Sequence, residues 1–200
     1  MLRRLLRAAF QPRSSATPLV QRALDLRSQG RLADAEGTLR AAVNQHPRDA
    51  IAATNLAVAL LEQDKGDEAV ALLERAIACD SGCAAAHFNY ANVLRVSGRL
   101  GQAIEHYRAA KNADPEFSAA PEQLMQTLLE ACDWDAARRV ADELRERVSA
   151  GPSSEWMPFI SPLTAVYLGL DEENCKRVAT YHAPRVSPMR VDSPTFHDQR

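Results

Sequence analysis

Four side-chain amides recur along the chain at a constant interval of about 34 residues, at Gln21, Asn55, Asn89 and Gln123. A primary amide carries both a hydrogen-bond donor and an acceptor, so it can pair with a peptide unit whatever side chains that peptide has. The column therefore predicts a row of amides that holds an extended polypeptide by its backbone. The alternative is that these amides bond to local backbone groups or are merely solvated.

Three neighbours of this column complete the predicted peptide-binding set: Thr54, Phe88 and Asn92. Thr54 and Phe88 directly precede two of the amides, and Asn92 follows Asn89 by about one helical turn. Phe88 has two roles open to it, either an apolar anchor for the bound peptide or a side chain of the core.

The same interval also governs the apolar positions, as in the columns Ala35, Ala69, Ala103 and Ala137, and Leu26, Leu60, Leu94 and Leu128. Several columns in one register indicate internal repeats. Each unit predicts two helices, which in the third unit cover residues 84–97 and 101–113. Gly98 separates the two helices, and the Asp114-Pro115 pair ends the second because proline lacks a backbone donor.

Neither helix of a unit can bury its apolar stripe alone, whereas stacked pairs can. The sequence therefore predicts an all-α fold: an α-solenoid of stacked antiparallel helix pairs, with alanine where the helices cross, followed by short C-terminal helices. We expect three clear units at 16–49, 50–83 and 84–117, a degenerate unit at 118–149, and a helical segment at 150–182.

The third unit resembles a tetratricopeptide repeat, since it contains Tyr90-Ala91-x2-Leu94, Ala103-x3-Tyr107 and Pro115. This resemblance implies a superhelix whose concave face, lined mainly by the first helix of each pair, binds a protein or peptide partner. Co-chaperone repeats of this kind clamp a terminal carboxylate with lysine or arginine beside asparagine. We expect no such clamp, because the corresponding positions here are Val20, Thr54, Phe88 and Glu122.

The segment after the repeats, with Cys132-Asp133-Trp134 and Leu168-Gly169-Leu170-Asp171, is similar to bacterial glycosyltransferases of the O-GlcNAc transferase (SPINDLY-like) type. In that family the amide column receives the polypeptide substrate. Asn55 and Asn89 match its pattern directly, and Gln21 and Gln123 only approximately. The resemblance stops near residue 183, before the family's catalytic half, and residues 183–200 are expected to be a disordered tail.

The 200 residues are 46% hydrophobic and 25% charged, with a net charge of −2, which excludes collagen-like and wholly disordered chains. No stretch reaches the roughly 18 apolar residues of a membrane span. Residues 1–15 form a basic extension with four arginines, a composition shared by organellar targeting peptides, membrane-surface helices and plain terminal extensions. The default compartment is the cytoplasm, with an organelle as the alternative. The remaining acidic body argues against a nucleic-acid partner.

The histidines and cysteines show no catalytic triad and no complete metal-ligand spacing. Cys83 and His87 can share a helical face near Cys79, but no fourth ligand is visible, so small buried cysteines are the better interpretation. We therefore expect no enzyme activity, metal or cofactor. The predicted function is a non-catalytic scaffold that binds an extended peptide. The alternative is a detached substrate-recognition half of an O-GlcNAc-transferase-like enzyme, and self-association is left open.

Overall fold

The structure, a computed structural model, describes residues 16–115, 117, 119–150 and 162–182. The basic extension at 1–15 and the tail at 183–200 lie outside these residues. Every regular element in the described part is an α-helix, so the all-α prediction is confirmed. The helices are α1 Thr17–Ser28, α2 Leu32–Gln45, α3 Ala50–Leu61, α4 Gly66–Cys79, α5 Ala84–Val96, α6 Leu100–Ala113, α7 Ala119–Glu130, α8 Trp134–Ala150, α9 Pro162–Tyr167 and α10 Glu172–His182.

The chain divides into two compact units, one that ends at Leu144 and one that begins at Arg145. In the first unit the helices pair as α1 with α2, α3 with α4, and α5 with α6. Each pair also packs on the next, through α2 on α3, α4 on α5 and α6 on α7, and α3 contacts α5. This is the stacking that the predicted α-solenoid requires.

Alanine columns make this stacking possible. Ala35, Ala69, Ala103 and Ala137 are each 0% exposed, as are Ala42, Ala76 and Ala110. A methyl side chain at a helix crossing lets the two backbones approach closely, and large side chains of the next columns fill the space beside it. Leu60, Leu94 and Leu128 are accordingly at most 2% exposed.

One backbone geometry recurs in the turn that follows each of α1, α3, α5 and α7. Its central residue has a positive φ at Gly30 (78°), Asp64 (61°), Gly98 (74°) and Cys132 (58°). The following N–H donates back to a carbonyl of the first helix, as from Arg99 to Leu94. This is the Schellman closure that glycine favours. The second and fourth turns adopt it without glycine.

The second compact unit, which begins at Arg145, contains α9 and α10, and these two helices pack on each other. Arg145 Nε donates to the backbone carbonyl of Leu168 at 2.7 Å. Asp171 precedes α10 and its Oδ1 accepts from the backbone N–H of Asn174 at 2.8 Å, which satisfies a donor that the helix leaves open. Leu168 and Val178 are 0% and 1% exposed.

Candidate functional site

The four column amides lie on the first helices of the pairs, on α1, α3, α5 and α7, but they differ in exposure. Gln21 is exposed, and its Nε2 donates to Asp25 Oδ1 at 3.2 Å. Asn55, Asn89 and Gln123 are buried, at 3%, 0% and 9% exposure. The column is therefore a row of mostly buried amides, and only its first member is open to solvent.

Two of the buried amides each donate a hydrogen bond to a backbone carbonyl of their own helix. Asn55 Nδ2 donates to the carbonyl of Ile51 at 2.9 Å, and Asn89 Nδ2 donates to that of Ala85 at 2.8 Å. Bonds of this kind, to the carbonyl four residues back, are one of the local arrangements that these side chains adopt in helices. The alternative that the sequence left open, bonding to local backbone groups, thus holds for the side-chain nitrogens of these two amides.

Three buried amide atoms have no hydrogen-bond partner among the residues that the structure describes. They are the acceptors Asn89 Oδ1 and Gln123 Oε1 and the donor Asn92 Nδ2. A buried polar atom without a partner costs about 1–3 kcal/mol, so such atoms are rare in folded proteins. All three belong to α5, the first helix of the third pair, and to α7.

The other half of the Asn92 amide is tied to the neighbouring helix. Tyr107 of α6 donates its hydroxyl to Asn92 Oδ1 at 2.6 Å. Burial is the main cause that raises the pKa of Tyr107 to about 12, so the hydroxyl keeps its proton at neutral pH and remains a donor. Asn92 is thereby held in one orientation, and its unpartnered nitrogen is fixed in place.

Thr54 and Phe88 are part of the interior. The Thr54 hydroxyl donates to the carbonyl of Ala50 at 2.7 Å and lies 4.0 Å from the sulfur of Cys83. Phe88 is 1% exposed and makes edge contacts with the rings of Tyr107 and Phe117, with centroids 5.7 Å and 5.1 Å apart. Of the two roles left open for Phe88, the structure shows the core role.

An ion pair recurs at the C-terminal ends of the first helices. Arg27 Nε lies 3.6 Å from Glu62 Oε2, and two units further along the chain Arg95 Nη1 lies 2.6 Å from Glu130 Oε1. We call the contact between two successive repeats a junction. At the second junction, between α3 and α5, the corresponding residues are the apolar Leu61 and Val96, and Val96 is 60% exposed. The Arg95 pair thus joins α5 and α7, the two helices that carry the unpartnered amide atoms.

A histidine pair joins α5 to α6, and no pattern in the sequence indicates it. His87 of α5 and His106 of α6 face each other with their Nδ1 atoms 2.9 Å apart. His87 Nε2 lies 3.2 Å from the carbonyl of Ser81, which can only accept, so this nitrogen carries the proton. In a neutral His87, Nδ1 therefore accepts from His106. The two histidines stand on different helices, too far apart in sequence for any same-helix spacing, so only the pairing of the helices reveals the contact.

The interpretation of the cysteines as buried residues is correct for Cys83 and wrong for Cys79 and Cys132, which are exposed, while Cys175 is half-buried. Cys79 is the last residue of α4, where the helix leaves the core. Burial raises the pKa of the Cys83 thiol. Within the described ranges no group of three metal-ligating side chains is found, and none of their helices is long and apolar enough to cross a membrane.

Comparison with known proteins points to one kind of repeat. A family model described as tetratricopeptide repeat matches residues 20–82 and 63–117. A search of curated protein sequences gave no significant match.

Among solved structures, PilF of Pseudomonas aeruginosa has a TM-score of 0.63 at 21% identity, over 86% of this chain and 77% of that one. A tetratricopeptide repeat protein from Parabacteroides merdae has a TM-score of 0.59 at 18% identity, over 86% and 66%. A mutant O-GlcNAc transferase of Thermobaculum terrenum has a TM-score of 0.60 at 24% identity, over 66% of this chain and 26% of that one. The chain thus spans about a quarter of the transferase. At these identities the likeness shows a shared fold.

Proposed function

From the premise that residues 20–117 belong to the tetratricopeptide repeat family, we propose that the protein is a non-catalytic scaffold that binds an extended peptide of a partner protein along its first helices. Repeats of this family generally mediate protein–protein interaction. The proposed partner is a protein rather than a nucleic acid, and the proposed compartment is the cytoplasm.

The three unpartnered amide atoms of α5 and α7 carry this proposal. Asn89 Oδ1 and Gln123 Oε1 accept, and Asn92 Nδ2 donates. An extended peptide offers backbone N–H donors and carbonyl acceptors along its length, so it can satisfy both kinds of atom whatever its side chains. A bound peptide would then recover part of the free energy, about 1–3 kcal/mol per atom, that each unpartnered atom costs.

Burial sets a condition on this binding. Asn89 and Asn92 are 0% and 1% exposed, so a peptide reaches them only when neighbouring side chains move aside. Rotamer changes at an interface are common on binding even where the backbone stays in place. Gln21 is exposed and would contact a peptide without such movement, whereas Thr54 and Phe88 would shape the face from within.

The test uses a peptide selected by display on the wild-type protein and measured by fluorescence anisotropy. Each backbone nitrogen of this peptide is then methylated in turn, which removes one donor and keeps the side chains. We expect one methylation to weaken binding to the wild type about tenfold, the equivalent of one hydrogen bond of about 1.4 kcal/mol. The same methylation should have little effect on Asn89→Ala, because that variant lacks the acceptor.

Asn112→Ala is the matched control, because Asn112 is an exposed amide of α6 away from the first helices. It should bind every version of the peptide as the wild type does. If the selected peptide binds Asn55→Ala/Asn89→Ala as tightly as the wild type, or if no methylation separates Asn89→Ala from the wild type, the amide column is not the binding surface.

A second candidate function rests on the transferase that shares the fold over 66% of this chain. In this alternative the protein is the substrate-recognition half of an O-GlcNAc-transferase-like enzyme and presents a polypeptide to a separate catalytic chain. Incubation with a nucleotide sugar and a polypeptide acceptor discriminates the two. Sugar transfer by this chain alone would contradict the scaffold, and transfer only with an added catalytic chain would favour the second candidate.

A further inference from the structure

A cleft of about 380 Å³ opens between the second helices α2 and α4. Its floor is apolar and consists of Val43, Leu56 and Leu72, which are 6%, 2% and 9% exposed. Its rim carries charged side chains, Arg40, Glu68 and Arg75. The volume lies at the lower end of the range of ligand pockets, roughly 300–1,000 Å³, and can hold one ring and an adjoining polar group. The lining residues of the cleft lie on α2 and α4 except for Leu56, which belongs to the first helix α3.

The charges on one side of the rim are already compensated. Arg40 Nε lies 2.9 Å from Glu36 Oε1, and its Nη1 lies 2.6 Å from Glu68 Oε1. Lys65 Nζ lies 2.7 Å from Glu36 Oε2. The hydrogen bond from Lys65 is the largest cause that lowers the pKa of Glu36 to about 2, so these two cations and two carboxylates remain charged and balanced at neutral pH.

Arg75 is the exception on this rim. It is exposed, and its guanidinium has no hydrogen-bond or ion-pair partner in the part of the chain that the structure describes. Arginine is charged at every physiological pH and its planar donor pattern matches a carboxylate. The cleft thus combines an apolar floor with one uncompensated cation at its edge.

At the next junction, one repeat further along the chain, an aromatic side chain occupies the corresponding space. Tyr90 stands there in place of Leu56, Glu74 in place of Arg40, and His106 in place of Leu72. The Tyr90 ring makes an edge contact with His106, with centroids 4.8 Å apart, and its hydroxyl donates to Glu74 at 2.7 Å. An aromatic side chain there spans the distance from floor to rim.

At the first junction the same space lacks a ring, because Leu56 is shorter than tyrosine. The carboxylate of Glu74 is replaced there by Arg40, and the rim also carries Arg75, whose counterpart is Ala109. We propose that this cleft binds an aromatic side chain of a partner polypeptide that has a carboxylate beside it. The ring would lie on Val43, Leu56 and Leu72, and the carboxylate would accept from Arg75. This site is independent of the proposed amide column.

The test is a two-dimensional NMR titration of the full chain with the dipeptide Ac-Phe-Asp-NH₂. Ac-Phe-Asn-NH₂ and Ac-Ala-Asp-NH₂ serve as matched probes that lack the charge or the ring. We expect the backbone signals of residues 43, 44 and 71–75 to shift with the first probe. Without the charge the affinity should be about fivefold weaker, the equivalent of one exposed ion pair of about 1 kcal/mol.

Two variants test the two parts of the site. Leu56→Tyr reproduces Tyr90 and should fill the cleft, so we expect at least about a tenfold loss of affinity for both phenylalanine probes. Arg75→Gln changes only an exposed side chain. It should lower the affinity for Ac-Phe-Asp-NH₂ to that for Ac-Phe-Asn-NH₂, and it should leave the affinity for Ac-Phe-Asn-NH₂ unchanged.

Asn112→Ala, an exposed position of α6 that belongs neither to this cleft nor to the amide column, is the control and should bind the probes as the wild type does. The proposal is overturned if no probe shifts residues 43, 44 and 71–75, if the shifts map to the first helices alone, or if folded Arg75→Gln binds both phenylalanine probes as the wild type does. Because different residues are altered, these outcomes say nothing against peptide binding by the amide column.

Discussion

His87 and His106 share one hydrogen bond between facing Nδ1 atoms, 2.9 Å apart, so at least one of the two imidazoles must be neutral. The bond joins α5 to α6, and the ring of Tyr90 packs against His106 from the same helix as His87. Two imidazolium ions would place two N–H groups and two like charges against each other. The third helix pair therefore contains a contact that acid disrupts.

The first prediction follows from this pair. Burial, and secondly the neighbouring His87, lower the pKa of His106 below its usual value of 6.5. The folded state thus binds fewer protons than the unfolded state in this range, so its free energy of unfolding falls as the pH drops below about 6.5. Unfolding by urea at pH 7.5 and pH 5.5 measures this loss. Exposed carboxylates titrate mainly near pH 4, below this window.

His106→Gln is the matched variant, because its side-chain amide can still donate to His87 Nδ1 and does not titrate. We expect this variant to lose less stability than the wild type between the two pH values. Equal losses in the two proteins would show that the histidine pair does not contribute to the pH dependence.

The second prediction concerns the turns inside the pairs. Asp64 and Cys132 have φ values of 61° and 58°, in the left-handed region where Gly30 and Gly98 stand in the other turns. A side chain in this conformation costs about 1–2 kcal/mol, part of which is offset because glycine is more flexible in the unfolded chain. Cys132→Gly should therefore raise the free energy of unfolding by about 0.5–1 kcal/mol, and Asp64→Gly by somewhat less, since aspartate tolerates this region.

Gly98→Ala is the reverse substitution, and we expect it to lower the free energy of unfolding by about 1 kcal/mol. Space is not the cause, because a Cβ at Gly98 would meet nothing within 4 Å. Urea unfolding of the three variants tests the assignment. A destabilised Cys132→Gly would contradict it.

The third prediction concerns the helix crossings. Ala103 is 0% exposed between packed helices, so Ala103→Leu should overpack the interior and lower the free energy of unfolding by about 1–3 kcal/mol. Asn112→Leu on the same helix places a leucine at an exposed position and should change it by less than about 0.5 kcal/mol. Thermal unfolding of both variants is the measurement. Equal melting temperatures would count against close packing at Ala103.

The α-solenoid follows from the sequence because its determinants are local and repeat. The column of Leu26, Leu60, Leu94 and Leu128 and the small residues at the crossings recur in one register, so one repeat predicts the next. The second turn shows the limit of this reasoning. Its only nearby glycine, Gly66, begins α4, and the left-handed position is taken by Asp64, which no glycine pattern would indicate.

The candidate site depends on neighbours that a column of the repeat does not specify. The column places Gln21 and Asn89 at the same point of their own helices, yet one is exposed and the other is 0% exposed. Likewise Leu56 leaves a cleft where Tyr90, at the same position of the next unit, fills the corresponding space. Periodicity alone determined the helix pairs and their stacking, because each helix is specified by residues that lie within a few turns of one another in the sequence. Which amides are buried, which histidines meet and where a cleft opens were decided only by tertiary packing, because they depend on the size of side chains brought in from other helices.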